Sequence, residues 1–157
     1  MLGLLGRAVF CAALAWIVAC GSDSPTTPGG PSNNPVGNYG ISTVNGKGLP
    51  FTLASDGNFL YEVTAGKIGL TSDNKYSLVT TYRQTIPGNV ELFVDSSGGT
   101  WVMNGTTINV TETDSTGKSD GMTGQITWTA ATSQLSFAIT DSSSTGKVTN
   151  TFVYTKK

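Results

Sequence analysis

The sequence predicts an all-β domain: an antiparallel meander of about eight to ten strands that closes into a small up-and-down barrel, with an open two-sheet sandwich as the alternative. Three observations predict it. From Val36 to Lys157 no segment holds a helical apolar period for more than about two turns. Short alternating runs rich in Thr, Val, Ile, Tyr and Phe fill that stretch instead, divided by Gly, Asn, Asp and Ser. The dividers are short, so consecutive strands become neighbours, and a one-sided apolar pattern lets the meander curl until its edges meet.

The strands follow in order. Tyr39 and Ile41, then Leu49, Phe51 and Leu53, then Phe59, Tyr61 and Val63 mark two or three strands at the start. Ile68 and Leu70 are joined by "TSDNK" to "YSLVTTYRQ", where Tyr76, Leu78, Thr80 and Tyr82 share a face. Ile86-Pro87-Gly88-Asn89 suits a type II turn, with Pro first and Gly second of the central pair. It leads to "VELFV", whose apolar face is expected to be Val90, Leu92 and Val94. In "GTWVMNGTTINVTE", Asn104-Gly105 is a type I′ signal. A turn there sets Met103 opposite Thr106, Trp101 opposite Ile108 and Gly99 opposite Val110. Further on, "QITWT" and "QLSFAIT" flank "AATS", placing Ile126 and Trp128 on the face of Leu135, Phe137 and Ile139. "DSSSTG" then leads to a last strand with Val148, Phe152 and Tyr154 on one face. These outward faces are Thr, Ser, Lys and Asn, unfit for lipid, so the strands do not build a membrane-spanning barrel.

Residues 1–19 read as a signal peptide. Arg7 is followed by an uncharged apolar stretch from Ala8 to Ala19. As a helix it would rise about 18 Å, short of a hydrocarbon core of about 30 Å. A basic start, a short apolar run and small residues at the boundary make an export signal. Residues 20–35 read as a leash: Gly21 to Pro35 holds four prolines, three glycines and no large apolar side chain. Such a segment has nothing to bury and serves as a partly extended spacer. Residues 36–157 are the single domain.

Composition narrows the function. The chain of 157 residues has no histidine and a formal net charge of −1, and its two cysteines, Cys11 and Cys20, both precede the leash. The domain therefore lacks the commonest general base, a thiolate nucleophile and a zinc cluster. No basic run suits a phosphate backbone, so no nucleic-acid partner is expected. No catalytic residue, metal site or cofactor is assigned, and the chain is expected to be a monomer and not an enzyme. Most carboxylates fall in turns, where Asp caps backbone N–H groups. Glu91 and Glu112 are expected on strand faces opposite the apolar ones. "DSSGG" and "TDSTGKSDG" lack the acidic spacing of known calcium loops and read as turns.

Ile17-Val18-Ala19-Cys20 resembles the bacterial lipobox: an aliphatic residue, a tolerant position, a small residue and then cysteine. The resemblance implies that the Cys20 thiol receives a diacylglyceryl group, that the signal is cut before it, and that the new amino terminus is acylated, with palmitate-like chains holding the protein to a membrane. It implies a place in the bacterial cell envelope. Gly21, rather than Asp, after the cysteine favours the outer membrane where a cell has two.

Gly37-Asn38-Tyr39, then "VNGKGLP", "GKIGLTSDNKYSL" and "GGTWVMNGTTINVTE", resemble in that order small bacterial lipoproteins with a lipocalin-like β-domain. The resemblance covers nearly the whole chain. Lipocalins carry Gly-x-Trp on the first strand and an Arg near the last strand that packs over that Trp. Here Tyr39 takes the Trp place, and Lys156 and Lys157 lie near the end. The implied function is binding of a small, apolar ligand. Tyr39, Tyr76, Tyr82, Trp101, Trp128, Phe137 and Phe152 are the candidate inward residues, lining a pocket or filling a core. The alternative function is an envelope structural or inhibitor-type module acting through its surface. A cavity of about 300 Å³ or more favours the first; a packed interior with an exposed apolar patch favours the second.

Overall fold

A computed structural model describes residues 33–113, 119–143 and 146–157. The signal peptide, the lipobox residues Ile17, Val18 and Ala19, Cys20 and nearly all of the leash lie outside these described residues. Nine strands are present among the described residues: β1 (Gly37–Val44), β2 (Phe51–Ser55), β3 (Leu60–Leu70), β4 (Lys75–Ile86), β5 (Asn89–Asn104), β6 (Thr107–Thr113), β7 (Ser119–Thr129), β8 (Gln134–Ser143) and β9 (Gly146–Lys156). One turn of 3-10 helix, Ala130–Thr132, joins β7 to β8.

Every pairing is antiparallel, and the neighbours run β1-β9-β8-β7-β6-β5-β4-β3 before β1 meets β3 and closes the ring. The result is an eight-stranded up-and-down barrel with β2 as an extra strand. The first part of β1 pairs with Lys67–Leu70 of β3, and β2 pairs with Leu60–Val63 on the same edge. β1 and β2 thus lie end to end along β3, separated by a loop that leaves the wall. That loop opens on Asn45-Gly46, both at positive φ (51° and 74°), with Val44 and Lys47 exchanging backbone hydrogen bonds of 2.9 Å. This is the geometry of a type I′ turn.

The type I′ assignment at Asn104-Gly105 is therefore corrected. Gly105 alone of that pair has positive φ, and Asn104 ends β5 opposite Thr107. Met103 faces Ile108, Trp101 faces Val110 and Gly99 faces Glu112. The same side chains still share a face, because the pairing has moved by a whole pleat. A Cβ on Gly99 would run into the Thr111 carbonyl oxygen and the Glu112 Cα, so glycine is what allows β5 and β6 to approach there.

A second correction concerns β5. "VELFV", "DSSGG" and "GTWVMN" are one continuous strand of 16 residues, and "DSSGG" is not a turn. The Pro87-Gly88 turn, with Gly88 at φ 80°, sets Tyr82 opposite Phe93 and Thr80 opposite Asp95. The inward row is therefore Phe93, Asp95, Ser97, Gly99 and Trp101. Val90, Leu92 and Val94 point outward and are 61%, 68% and 67% exposed. Register outweighs local hydrophobicity here, since one face of a strand can match the inward face of its neighbour and the other cannot. Glu91 shares the Phe93 face, and Glu112 shares the face of Ile108 and Val110, so neither lies opposite the inward row.

The core occupies the pole where β1 begins. Tyr39, Ile68, Leu70, Trp101, Ile108, Ile126, Trp128, Leu135 and Tyr154 are buried there. Trp128 meets Tyr39 edge to face at 6.0 Å, and Phe137 stacks on both Phe152 (5.3 Å) and Tyr154 (5.7 Å). The Trp101 indole N–H donates to the Thr71 carbonyl, and the Asn74 amide donates to the Trp101 carbonyl, tying the β3–β4 turn to β5. The Tyr39 hydroxyl donates to the Pro35 carbonyl, Lys156 Nζ donates to the Val36 carbonyl, and that ammonium stands 5.9 Å from the Tyr39 ring centre. Lys156 thus sets a cation over an aromatic face. This pole is sealed.

Candidate functional site

The opposite pole is built differently. Pairing of β7 with β8 stops at Thr127↔Ser136, although Ile126 and Phe137, the next residues, are both described. The β1–β9 ladder ends at Val44↔Phe152, extended one step by Asn45, whose side chain accepts from the Thr151 N–H and donates to Asn150. Beyond these points β8 and β9 continue paired to each other, from Phe137↔Phe152 to Ser143↔Gly146. The far part of the β8–β9 hairpin therefore stands as an arm, bonded to neither β7 nor β2 among the described residues.

The mouth cavity lies between this arm and the β2–β5 sheet, with a volume of about 640 Å³. Tyr61, Tyr82, Phe93 and Phe152 supply rings, Leu53, Val94, Ile139 and Val148 supply aliphatic groups, and Asp95 and Asn150 supply polar ones. Phe93, Ile139 and Val148 are exposed apolar residues on its rim. Tyr61 stacks on Tyr82 at 5.2 Å and on Phe59 at 6.2 Å, so three rings form a continuous aromatic wall. A smaller cavity of about 220 Å³ fills the slot where β7 and β8 part, lined by Tyr76, Leu78, Val110, Glu112, Ile126 and Phe137 among others. Ile139 borders both cavities.

Polar chemistry lies beside the mouth. Burial raises the Tyr82 phenol above its ordinary pKa, and the charges of Tyr61 and Asp95 push the same way against a hydrogen-bonding effect of Thr80. Burial and then Asp95 raise Tyr61. One step deeper, burial pushes Tyr154 up to about 12. Its hydroxyl stands beside Thr80 and Tyr82 with no partner in hydrogen-bonding geometry, and the Trp128 indole N–H is also unpartnered. On the outer face, Arg83 clasps the buried Glu62 carboxylate through Nε at 2.9 Å and Nη2 at 2.6 Å.

The sequence-derived candidates divide between the poles. Tyr82 and Phe152 line the mouth cavity, while Tyr76 and Phe137 line the smaller one. Tyr39, Trp101 and Trp128 belong to the packed pole and border neither. Phe93 and Asp95 went unassigned in the sequence, although the Pro87-Gly88 turn fixes a register that sets them against Tyr82 and Thr80. Among the described residues no cluster of three or more His, Cys, Asp or Glu side chains is placed to hold a metal ion. No protein-family model matches the chain, and no curated protein or solved structure matches it either.

Proposed function

We propose that this chain is a bacterial lipoprotein, anchored through acyl chains on Cys20, whose barrel binds a small apolar molecule in the mouth cavity. The observation that carries the reading is the cavity itself. At about 640 Å³ it lies within the range of small-molecule sites, and aromatic and aliphatic groups predominate in its wall. Its rim residues are apolar side chains left in water by a domain that packs its other pole tightly. Native mass spectrometry of the protein extracted from its own host tests this: a small molecule released with it supports the reading. A protein that emerges empty and fails to take up a neutral dye such as Nile red would end it.

The anchor has its own test. Cys20→Ser should leave an uncleaved, unlipidated precursor that no longer partitions with membranes. Mature protein of unchanged mass in the membrane fraction would refute the anchor and leave the cavity reading intact. A second reading, a protein-interaction module, is favoured by the outward stripe of Val90, Leu92 and Val94. Replacing Val90 and Leu92, which border neither cavity, with Ser should change dye uptake little; loss of a co-purifying protein in that variant would favour the second reading.

A further inference from the structure

The wall of the mouth cavity carries a carboxylate, Asp95, and, among the described residues, neither a lysine nor an arginine. The smaller cavity repeats the pattern: among the described residues Glu112 is its one charged lining group. Both acids sit on the inward row of their strands, opposite Thr80 and Gly99. No described lysine or arginine lines either cavity, and Lys147, beside Val148 on the arm, is exposed. Arg83 is paired with Glu62 on the outer face, and Lys156 is bound at the sealed pole. Asp95 is also close enough to Tyr61 and Tyr82 to disfavour ionisation of both phenols, so its charge acts on the aromatic wall itself. Among the described residues no side chain donates to Asp95, and an unpaired carboxylate at the mouth leaves a negative potential over the opening, moderated by water because the residue is exposed.

We propose that the mouth cavity selects ligands with a positive charge on an apolar body, amphiphilic amines or quaternary ammonium compounds, and rejects fatty acids and other apolar anions. The inference rests on the reading of the cavity as a ligand site. An apolar chain or ring gains by leaving water against Phe93, Phe152, Ile139 and Val148. An ammonium group gains twice, from the Asp95 carboxylate and from the aromatic faces that attract cations. A carboxylate ligand would meet Asp95 with like charge and find no Lys or Arg to offset it. Tyr61, Tyr82 and Asn150 can serve a neutral polar head, so alcohols should fall between the two.

Three probes with the same tail separate the outcomes: dodecyltrimethylammonium, dodecanol and dodecanoate, each titrated calorimetrically into the full chain at neutral pH and below its micelle-forming concentration. The expected order is ammonium, alcohol, carboxylate, with at least a tenfold gap between first and last that narrows as salt is added. Asp95→Asn, an isosteric change at an exposed position, should bring the ammonium and alcohol probes together without altering the far-ultraviolet spectrum. Glu112→Gln serves as the second variant. If dodecanol binds and the ammonium probe binds no better, or if dodecanoate binds best, the charge inference is overturned while the cavity reading stands. An ammonium preference that survives both substitutions also overturns it. If none of the three binds, the cavity reading falls and takes this inference with it.

Discussion

At the sealed pole Tyr39, Trp101 and Trp128 are buried among aliphatic neighbours, and side-chain hydrogen bonds tie the β3–β4 turn to β5. At the mouth Phe93, Ile139 and Val148 are 42%, 47% and 55% exposed, and two ladders end early. The same strands build both ends, since β3, β4, β5, β8 and β9 each run from one to the other. What differs is the neighbour. Where a strand has partners on both sides its inward row meets an opposing row and fills the barrel. Where β8 and β9 pair only with each other, the inward row meets open space. Packed core belongs to one pole and exposed apolar surface to the other.

The contrast can be broken most forcefully from the sealed side. Trp128→Ala removes the ring that meets Tyr39 at 6.0 Å, and should cost about 3–5 kcal/mol in a urea titration. Trp128→Phe sharpens the point: it keeps most of the packing and removes a buried N–H that has no partner, so it should cost far less.

Alkali acts on the same pole. Tyr39 and Tyr154 have their pKa raised from 10.0 to about 12, in each case by burial. The folded state holds these protons more tightly than the unfolded chain. Their contribution is therefore complete below pH 10 and is lost as pH rises towards 12, by about 2–3 kcal/mol for each phenol. Melting curves across that range should fall steeply, and Tyr154→Phe should flatten the fall. A tyrosinate absorbance that titrates near pH 10 in the folded protein would contradict it.

Gly99→Ala should cost about 1–3 kcal/mol by forcing β5 and β6 apart, readable as faster amide exchange along β6. The smallest effect belongs to the mouth. Phe93→Ser should shift the denaturation midpoint by less than about 1 kcal/mol, since the ring is already partly in water. Uptake of a neutral dye should nevertheless drop severalfold in that variant. Equal stability losses from Phe93→Ser and Trp128→Ala would erase the distinction between the poles.

Much of the barrel was legible in the sequence. The short dividers give a meander, and the Pro87-Gly88 turn sets β4 against β5 as expected. The face shared by Ile126, Trp128, Leu135 and Phe137 follows from simple alternation across "AATS". Two features were hidden by competing local signals. Val90, Leu92 and Val94 look like an inward row when counted alone, and only the register with Tyr82 turns them outward. Asn-Gly occurs at both Asn45 and Asn104; the dipeptide alone does not say which one adopts positive φ at both positions. The cavity was less legible still, because it arises where pairing stops, and no single residue announces the end of a ladder. Asp95 sits in a Ser/Gly stretch that imitates a turn, so its inward position depends on β5 running through it unbroken.

The chain joins the barrel at Pro35 and Val36, which Tyr39 and Lys156 clasp from below. β1 has eight residues and so rises about 25 Å from that clasp towards the other rim. Whatever precedes Pro35 therefore meets the barrel at its plugged base, and the opening lies at the far end of β1 from that junction.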